Sequence, residues 1–196
     1  MHLEILNQNQ KDLLPFISQF KREYYLVGGT AIALHIGHRE SIDFDLFKLS
    51  NLRKNDIYKK ISKSKIPYQF GYENFEQLNL ILNQVKFTFF QFPHKIPSTS
   101  EIKGIIKMPD LLTLDAMKAF ALGRRAKWKD YVDLYFILNF FYSFKQISEV
   151  ASLLFGDQFS EKLFKMQLGY FKEINYDEEV TYLIPNPPTE EEIQTY

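Results

Sequence analysis

Asp43 and Asp45 are separated by one residue in a run, from Ile42 to Phe47, that alternates apolar and acidic side chains. That alternation predicts a strand. Residues two apart leave one face of a strand, so the two carboxylates converge while Ile42, Phe44 and Leu46 leave the other face. Like charges held together repel and raise each other's pKa, a state that a hard cation such as Mg²⁺ (or Mn²⁺) relieves by taking both groups as oxygen ligands. A solvent-facing strand edge would show the same two acids. The stretch upstream separates the two readings. Gly28 and Gly29 make a turn whose backbone can approach a phosphate, and they open a helix whose free N–H groups attract anions. Thr30 adds a hydroxyl that serves either the phosphate or the helix N-cap. A phosphate-binding turn followed about a dozen residues later by a metal-binding pair is what a nucleoside triphosphate with its Mg²⁺ requires.

The elements that must position these groups are legible from periodicity. Residues 11–22 carry a helical apolar stripe despite Pro15, and residues 24–27 read as a short strand that stops at the glycines. A helix closed by Gly37 follows, then the acidic strand, then a basic helix over 51–64. Residues 68–92 read as successive strands with a hairpin turn at Asn83-Gln84, and Pro93 and Pro97 end the pattern. From Asp110 onward the signal is helical, over 111–122, 131–144, 147–154 and 160–170. Strands and helices first and helices afterwards predict an α/β (α+β) fold, with a core over 1–108, a helical region over 109–184 completing the cleft, and a solvated tail over 185–196.

The composition is that of a folded protein: 196 residues, 45% hydrophobic, with 19 Phe and 12 Tyr. Its 24 basic and 24 acidic residues balance, so a nucleic-acid partner would have to be met by a local patch. The absence of cysteine excludes disulfides, thiolate metal ligands and cysteine nucleophiles, and fits a reducing cytoplasm. The first ten residues are polar, unlike a signal peptide. The longest uncharged apolar stretch, 134–144, is about half the roughly 20 residues of a spanning helix, so no membrane association is expected.

The run Leu26-Val-Gly-Gly-Thr-Ala-Ile-Ala-Leu-His-Ile-Gly-His-Arg-Glu-Ser-Ile-Asp-Phe-Asp-Leu-Phe resembles the first motif of the AbiEii/AbiGii nucleotidyltransferase toxin family, a bacterial branch of the polymerase β superfamily. A second stretch, Asp115-Ala-Met-Lys through Arg125 to Lys129-Asp-Tyr-Val-Asp-Leu-Tyr, resembles that family's lysine-and-aspartate segment. The resemblance covers about residues 24–140 and implies a polymerase β-like core with a mixed sheet. It implies that Gly28, Gly29 and Thr30 cradle a triphosphate and that Asp43 and Asp45 hold Mg²⁺. It places Lys118 beside the nucleotide, where an ammonium neutralises the leaving pyrophosphate. Arg39, Ser41, Lys129, Asp130 and Asp133 match family positions, with Asp43, Asp45, Lys118 and Asp130 as the catalytic set. Physical alternatives stand beside these roles: a solvated helix lysine for Lys118, an acid complementing the helix dipole for Asp133, and a structural loop residue for His38.

The wider superfamily often carries a third carboxylate on a later strand. The strand over 85–92 contains no acid, and Thr88 stands where one is expected. Either another acid such as Asp130 substitutes, or the site binds nucleotide without transferring it. Relatives modify the 3′ end of tRNA, and the run Lys118, Arg124, Arg125, Lys127 and Lys129, with Trp128 for stacking, has the chemistry to hold an RNA end. Lys59, Lys60, Lys63 and Lys65 form a second basic cluster, and both runs also have the composition of a solvated face. A protein acceptor, an antitoxin partner, a nucleotide-binding pseudoenzyme and a protein-interaction module are the remaining readings.

Overall fold

A computed structural model of the protein describes residues 1–122, 124 and 127–195. Arg125, part of the basic run, lies outside the described residues. In chain order the elements are α1 (Gln8–Ile17), β1 (Tyr25–Val27), α2 (Gly28–Ile36), β2 (Asp43–Lys48), α3 (Lys54–Ser64), β3 (Tyr68–Glu73), β4 (Gln77–Leu82) and β5 (Val85–Gln91). They continue with β6 (Ser100–Ile102), β7 (Ile106–Met108), α4 (Leu111–Leu122), α5 (Trp128–Phe140), α6 (Phe144–Phe155), α7 (Glu161–Leu168) and α8 (Glu190–Thr195). The strands form one mixed sheet in the order β3-β4-β5-β2-β1-β7-β6, with β2 parallel to β5, β1 parallel to β7 and the other neighbours antiparallel.

Strand alternation divides this sheet into a dry face and a wet one. Phe44 and Leu46 of β2, Phe87 and Phe89 of β5, and Leu78 and Leu80 of β4 are fully buried on the first. Phe16 of α1 meets Phe87 edge-on at 6.2 Å, and Phe20 lies 5.1 Å from Phe89, so the N-terminal helix covers that face. The alternate residues form three rows across β2, β5 and β4: Asp43 beside Lys86 and Ile81, Asp45 beside Thr88 and Asn79, and Phe47 beside Phe90 and Gln77. Asn83 and Gln84, both with positive φ (46° and 66°), make the expected two-residue hairpin.

The helices behind the site form a second layer. α2 leaves the end of β1 and packs on β1, β2, α4 and α5. α4 is buried around most of its circumference, including Asp115 and Lys118, because α2, α5 and α6 all lean on it. Phe120 of α4 stacks on Phe155 of α6 at 4.0 Å, closing a separate aromatic cluster with Phe92. The main buried cluster draws on both sides of position 108, from Ile5 to Ile193.

Several boundaries differ from the sequence expectation. Ile42 precedes β2 and is 52% exposed, so it does not join Phe44 and Leu46 on the buried face. The helix expected over 131–144 begins at Trp128, after an extended Lys127 (φ −107°, ψ 135°), and ends at Phe140. β6 and β7 were not expected, since three residues each are too few to show a period. The tail expected to be solvated carries α8, and its Ile193 is buried among the core residues. Ile193→Ala is therefore expected to lower unfolding free energy by about 2 kcal/mol, read from urea unfolding. A change within experimental error would mean that α8 does not dock.

Candidate active site

The glycine turn is built by conformation and by proximity. Gly28 has φ +74°, a region where a side chain is strained, and a Cβ placed there would lie 2.2 Å from Oδ2 of Asp45. The backbone at the start of α2 and the Asp45 carboxylate thus occupy adjoining space that only glycine allows. A Cβ at Gly29 would lie 2.6 Å from Nη2 of Arg39. Gly28→Ala is expected to cost about 2 kcal/mol from the left-handed backbone and the clash. Gly104, at φ +73° with open space where a Cβ would stand, supplies the control for backbone strain without a clash, as Gly104→Ala. Equal losses for the two variants in urea unfolding would exclude a contribution from Asp45.

Gly28 and Gly29 line a cleft of about 350 Å³ with Arg39, Ser41, Asp43, Asp45, Lys118, Lys129 and Asp130. The cleft thus gathers most of the residues singled out from the sequence. Thr30 and Asp133 stand behind it. The Thr30 hydroxyl contacts Ser41 Oγ at 2.8 Å and donates to the Asp43 carbonyl, binding α2 to the start of β2 instead of facing the cleft. It does not cap the helix either, since Val27 is the N-cap residue. Gln10 of α1, fully buried, donates to the Ser41 carbonyl at 2.8 Å and fixes the same loop from the other side. Burial pushes the Asp43 carboxyl up, and Lys86, its cross-strand neighbour, pulls it back in part. The two carboxylates are hard oxygen donors on one strand face at an open cleft. That donor set suits Mg²⁺, which is commonly held by one or two carboxylates with the remaining positions left to water and phosphate. Among the described residues no group of three or more His, Asp and Glu forms a fuller cage.

Asp133 is the anchor behind the cleft. Fully buried, it accepts from Arg39 Nε at 2.7 Å and Nη2 at 2.9 Å, and from Lys118 Nζ at 2.8 Å, with His38 Nε2 also 2.7 Å from Oδ1. Burial alone would raise its carboxyl, but the Arg39 and Lys118 charges outweigh burial and hold it well below the ordinary range. Lys118 Nζ also donates to Asp130 at 2.8 Å. Lys118 is buried and ion-paired, not a solvated helix lysine, and Asp133 joins the loop before β2 to α4 and α5. His38, whose pKa burial lowers against the pull of Asp133, is a buried member of that network.

Four polar lining residues were missed in the sequence: Gln77, Asn79, Lys86 and Glu178. The first three were findable in principle, since they occupy the positions alternate to Leu78, Leu80 and Phe87 once the register is known. Glu178 gave no signal. It lies in an irregular segment that reaches the site through long-range hydrogen bonds, from Trp128 N–H to the Asn175 carbonyl (3.0 Å) and from Glu40 N–H to the Thr181 carbonyl (2.8 Å).

The chain is similar to several known proteins. An uncharacterised protein of Aquifex aeolicus (strain VF5) is 32% identical over 123 residues, 60% of this chain and 58% of that protein. MenT4, nucleotidyltransferase toxin Rv2826c from Mycobacterium tuberculosis H37Rv, superposes with a TM-score of 0.54 at 16% identity, covering 74% of this chain and 61% of that one. JHP933 from Helicobacter pylori gives 0.52 at 17% identity, covering 74% and 73%. These similarities show a shared fold, and the chain spans about three fifths of the length of the Aquifex protein and of MenT4. The match to the AbiEii nucleotidyl transferase toxins of type IV toxin–antitoxin systems runs over residues 16–181, and the chain belongs to that family.

Proposed function

We propose that the protein transfers a nucleoside monophosphate from a nucleoside triphosphate to an acceptor hydroxyl. The observation that carries this reading is the placement of Asp43 and Asp45 on one face of β2, at the floor of the cleft, with the Gly28-Gly29 start of α2 against Asp45. In the reaction the acceptor oxygen forms a bond to the α-phosphorus as the bond from that phosphorus to the β-phosphate bridging oxygen breaks. Pyrophosphate leaves with the electron pair, and the acceptor loses its proton. Asp43 and Asp45 would hold Mg²⁺ (or Mn²⁺), which supplies charge neutralisation and Lewis acidity when bound. The N–H groups at the start of α2 bind phosphate oxygens. Lys118, held at the cleft by Asp130 and Asp133, offers fixed positive charge to the leaving group without reorganisation. Asp130, lining the same cleft, is the acid that substitutes for the missing third carboxylate by orienting the acceptor hydroxyl, whose proton passes to solvent, since Thr88 occupies the position beside Asp45.

The acceptor in this reading is an RNA end such as the tRNA 3′ end, with a protein hydroxyl as the alternative, and the family's setting adds a cognate antitoxin as partner. No helix among the described residues is long and apolar enough to cross a membrane, and the reading places the protein in the cytoplasm. The second reading, a nucleotide-binding pseudoenzyme, is favoured by Thr88 alone. The test supplies Mg²⁺, each labelled nucleoside triphosphate in turn, and cellular RNA or protein to the wild type and to an Asp43→Asn, Asp45→Asn double variant. Label moved by the wild type and not by the variant supports the enzyme and identifies nucleotide and acceptor. Binding of nucleotide with no label moved supports the pseudoenzyme.

A further inference from the structure

The segment that carries Glu178 crosses the cleft like a strap, tied at both ends. At one end Asn175 pairs with Lys127, its carbonyl accepts from Trp128 N–H, and Tyr176 stacks on Trp128 at 5.3 Å. At the other end Thr181, Tyr182 and Leu183 pair with Glu40, Arg39 and His38. Between these anchors run Asp177, Glu178 and Glu179, and Glu178 alone of the three turns into the cleft. Its Oε1 lies 2.7 Å from Lys127 Nζ and its Oε2 lies 3.2 Å from Lys129 Nζ. Lys129 is only 15% exposed, turned into the cleft where a lysine on an outer helix surface would seek water.

An ion pair of this partial exposure adds little stability, and the strap is already fastened by backbone bonds at both ends, so anchoring does not account for the arrangement. Two ammonium groups placed one on each oxygen of a single carboxylate offer the same donors to two oxygens of a phosphate. Burial would raise Glu178, yet the two lysines hold its carboxyl down at about 2, so it stays anionic throughout the physiological range and is a poor proton acceptor. Glu178 and Asp43 line the same cleft, and the Glu178 charge helps to raise the Asp43 carboxyl.

We propose that Lys127 and Lys129 form a phosphate-binding subsite of the cleft, which Glu178 fills until a phosphate group displaces it. The phosphate belongs either to the tail of the nucleoside triphosphate or to a phosphodiester of the acceptor strand; both present the same anionic oxygens. The proposal rests on reading the cleft as a nucleotidyl-transfer site. An internal anion lowers the apparent affinity of its competitor by the fraction of molecules in which the subsite is free, so removing the Glu178 charge should tighten binding about tenfold.

The test is calorimetric titration of the wild type, Glu178→Gln, and Glu178→Gln in a Lys127→Met, Lys129→Met background. The probes are inorganic pyrophosphate, each nucleoside triphosphate and a short phosphodiester oligonucleotide. Pyrophosphate should bind Glu178→Gln about tenfold more tightly than wild type, and the gain should vanish in the lysine-free background. Accompanying gain with triphosphate assigns the subsite to the nucleotide, and gain with oligonucleotide assigns it to the acceptor. Unchanged or weaker binding by Glu178→Gln, a gain that survives loss of both lysines, or a fall in melting temperature without a gain in affinity would each overturn the proposal. Transfer activity in the wild type with no effect of Glu178→Gln removes the subsite and leaves the transferase reading. Tighter anion binding with no transfer does the reverse.

Discussion

Replacing both cleft carboxylates, Asp43→Asn with Asp45→Asn, is expected to reduce transfer by at least about 10³-fold, and Asp43→Asn alone is expected to leave the melting temperature unchanged or higher. The first half follows from the loss of the only acids on the cleft face of β2. The second follows from the direction of the Asp43 shift, which burial raises. A raised folded pKa means that its stabilising contribution is present below the ordinary carboxyl value, near pH 4, and is lost as pH rises through the folded value. At neutral pH the charged group therefore opposes folding, and the amide removes that opposition. A melting temperature that drops in Asp43→Asn would assign that acid to the scaffold, and retained transfer in the double variant would remove both acids from the chemistry. Thermal melts beside transfer assays decide among these outcomes.

Asp133→Ala is expected to act in the opposite way, costing about 3–5 kcal/mol of stability. The carboxylate is fully buried and accepts from both Arg39 and Lys118, so its removal strips Arg39 of its two-point partner and Lys118 of an acid partner. Because Asp133 is depressed in the folded state, its contribution is complete above the unfolded carboxyl value near pH 4 and is lost as pH falls through the lower folded value. The difference between wild type and variant should thus be full at pH 7 and shrink as the medium is made strongly acidic, read from urea unfolding across that range. A difference independent of pH would mean that packing, not charge, explains the loss.

How much of this was legible in the sequence depends on distance along the chain. The turn at Gly28-Gly29 and the alternation of β2 are local patterns, and periodicity alone placed Asp43 and Asp45 on one face. The expected 111–122 helix coincides with α4 because its apolar run is long. Local patterns could not reveal that Thr30 turns inward to Ser41 and Asp43, since its position after the glycines fits a ligand as well as a buttress. The same holds for Lys118 and Asp133, which pair across helices whose separation is set by packing. β7 was invisible because three residues carry no period, although it extends the sheet beside β1. Glu178 was invisible because it lies far along the chain from Asp43 in a segment with neither stripe nor alternation.

The strap also sets the order in which the protein becomes competent during its own synthesis. The chain emerges with its amino terminus first, so the glycine turn and both acids of β2 leave the ribosome before the strap does. β2 must wait for β5 as its parallel neighbour, β1 for Lys107 of β7, and the loop at His38 and Glu40 for Leu183 and Thr181. Such long-range pairings are slow to form. A nascent chain therefore carries Asp43 and Asp45 without a finished cleft around them until the segment around residue 183 has been made.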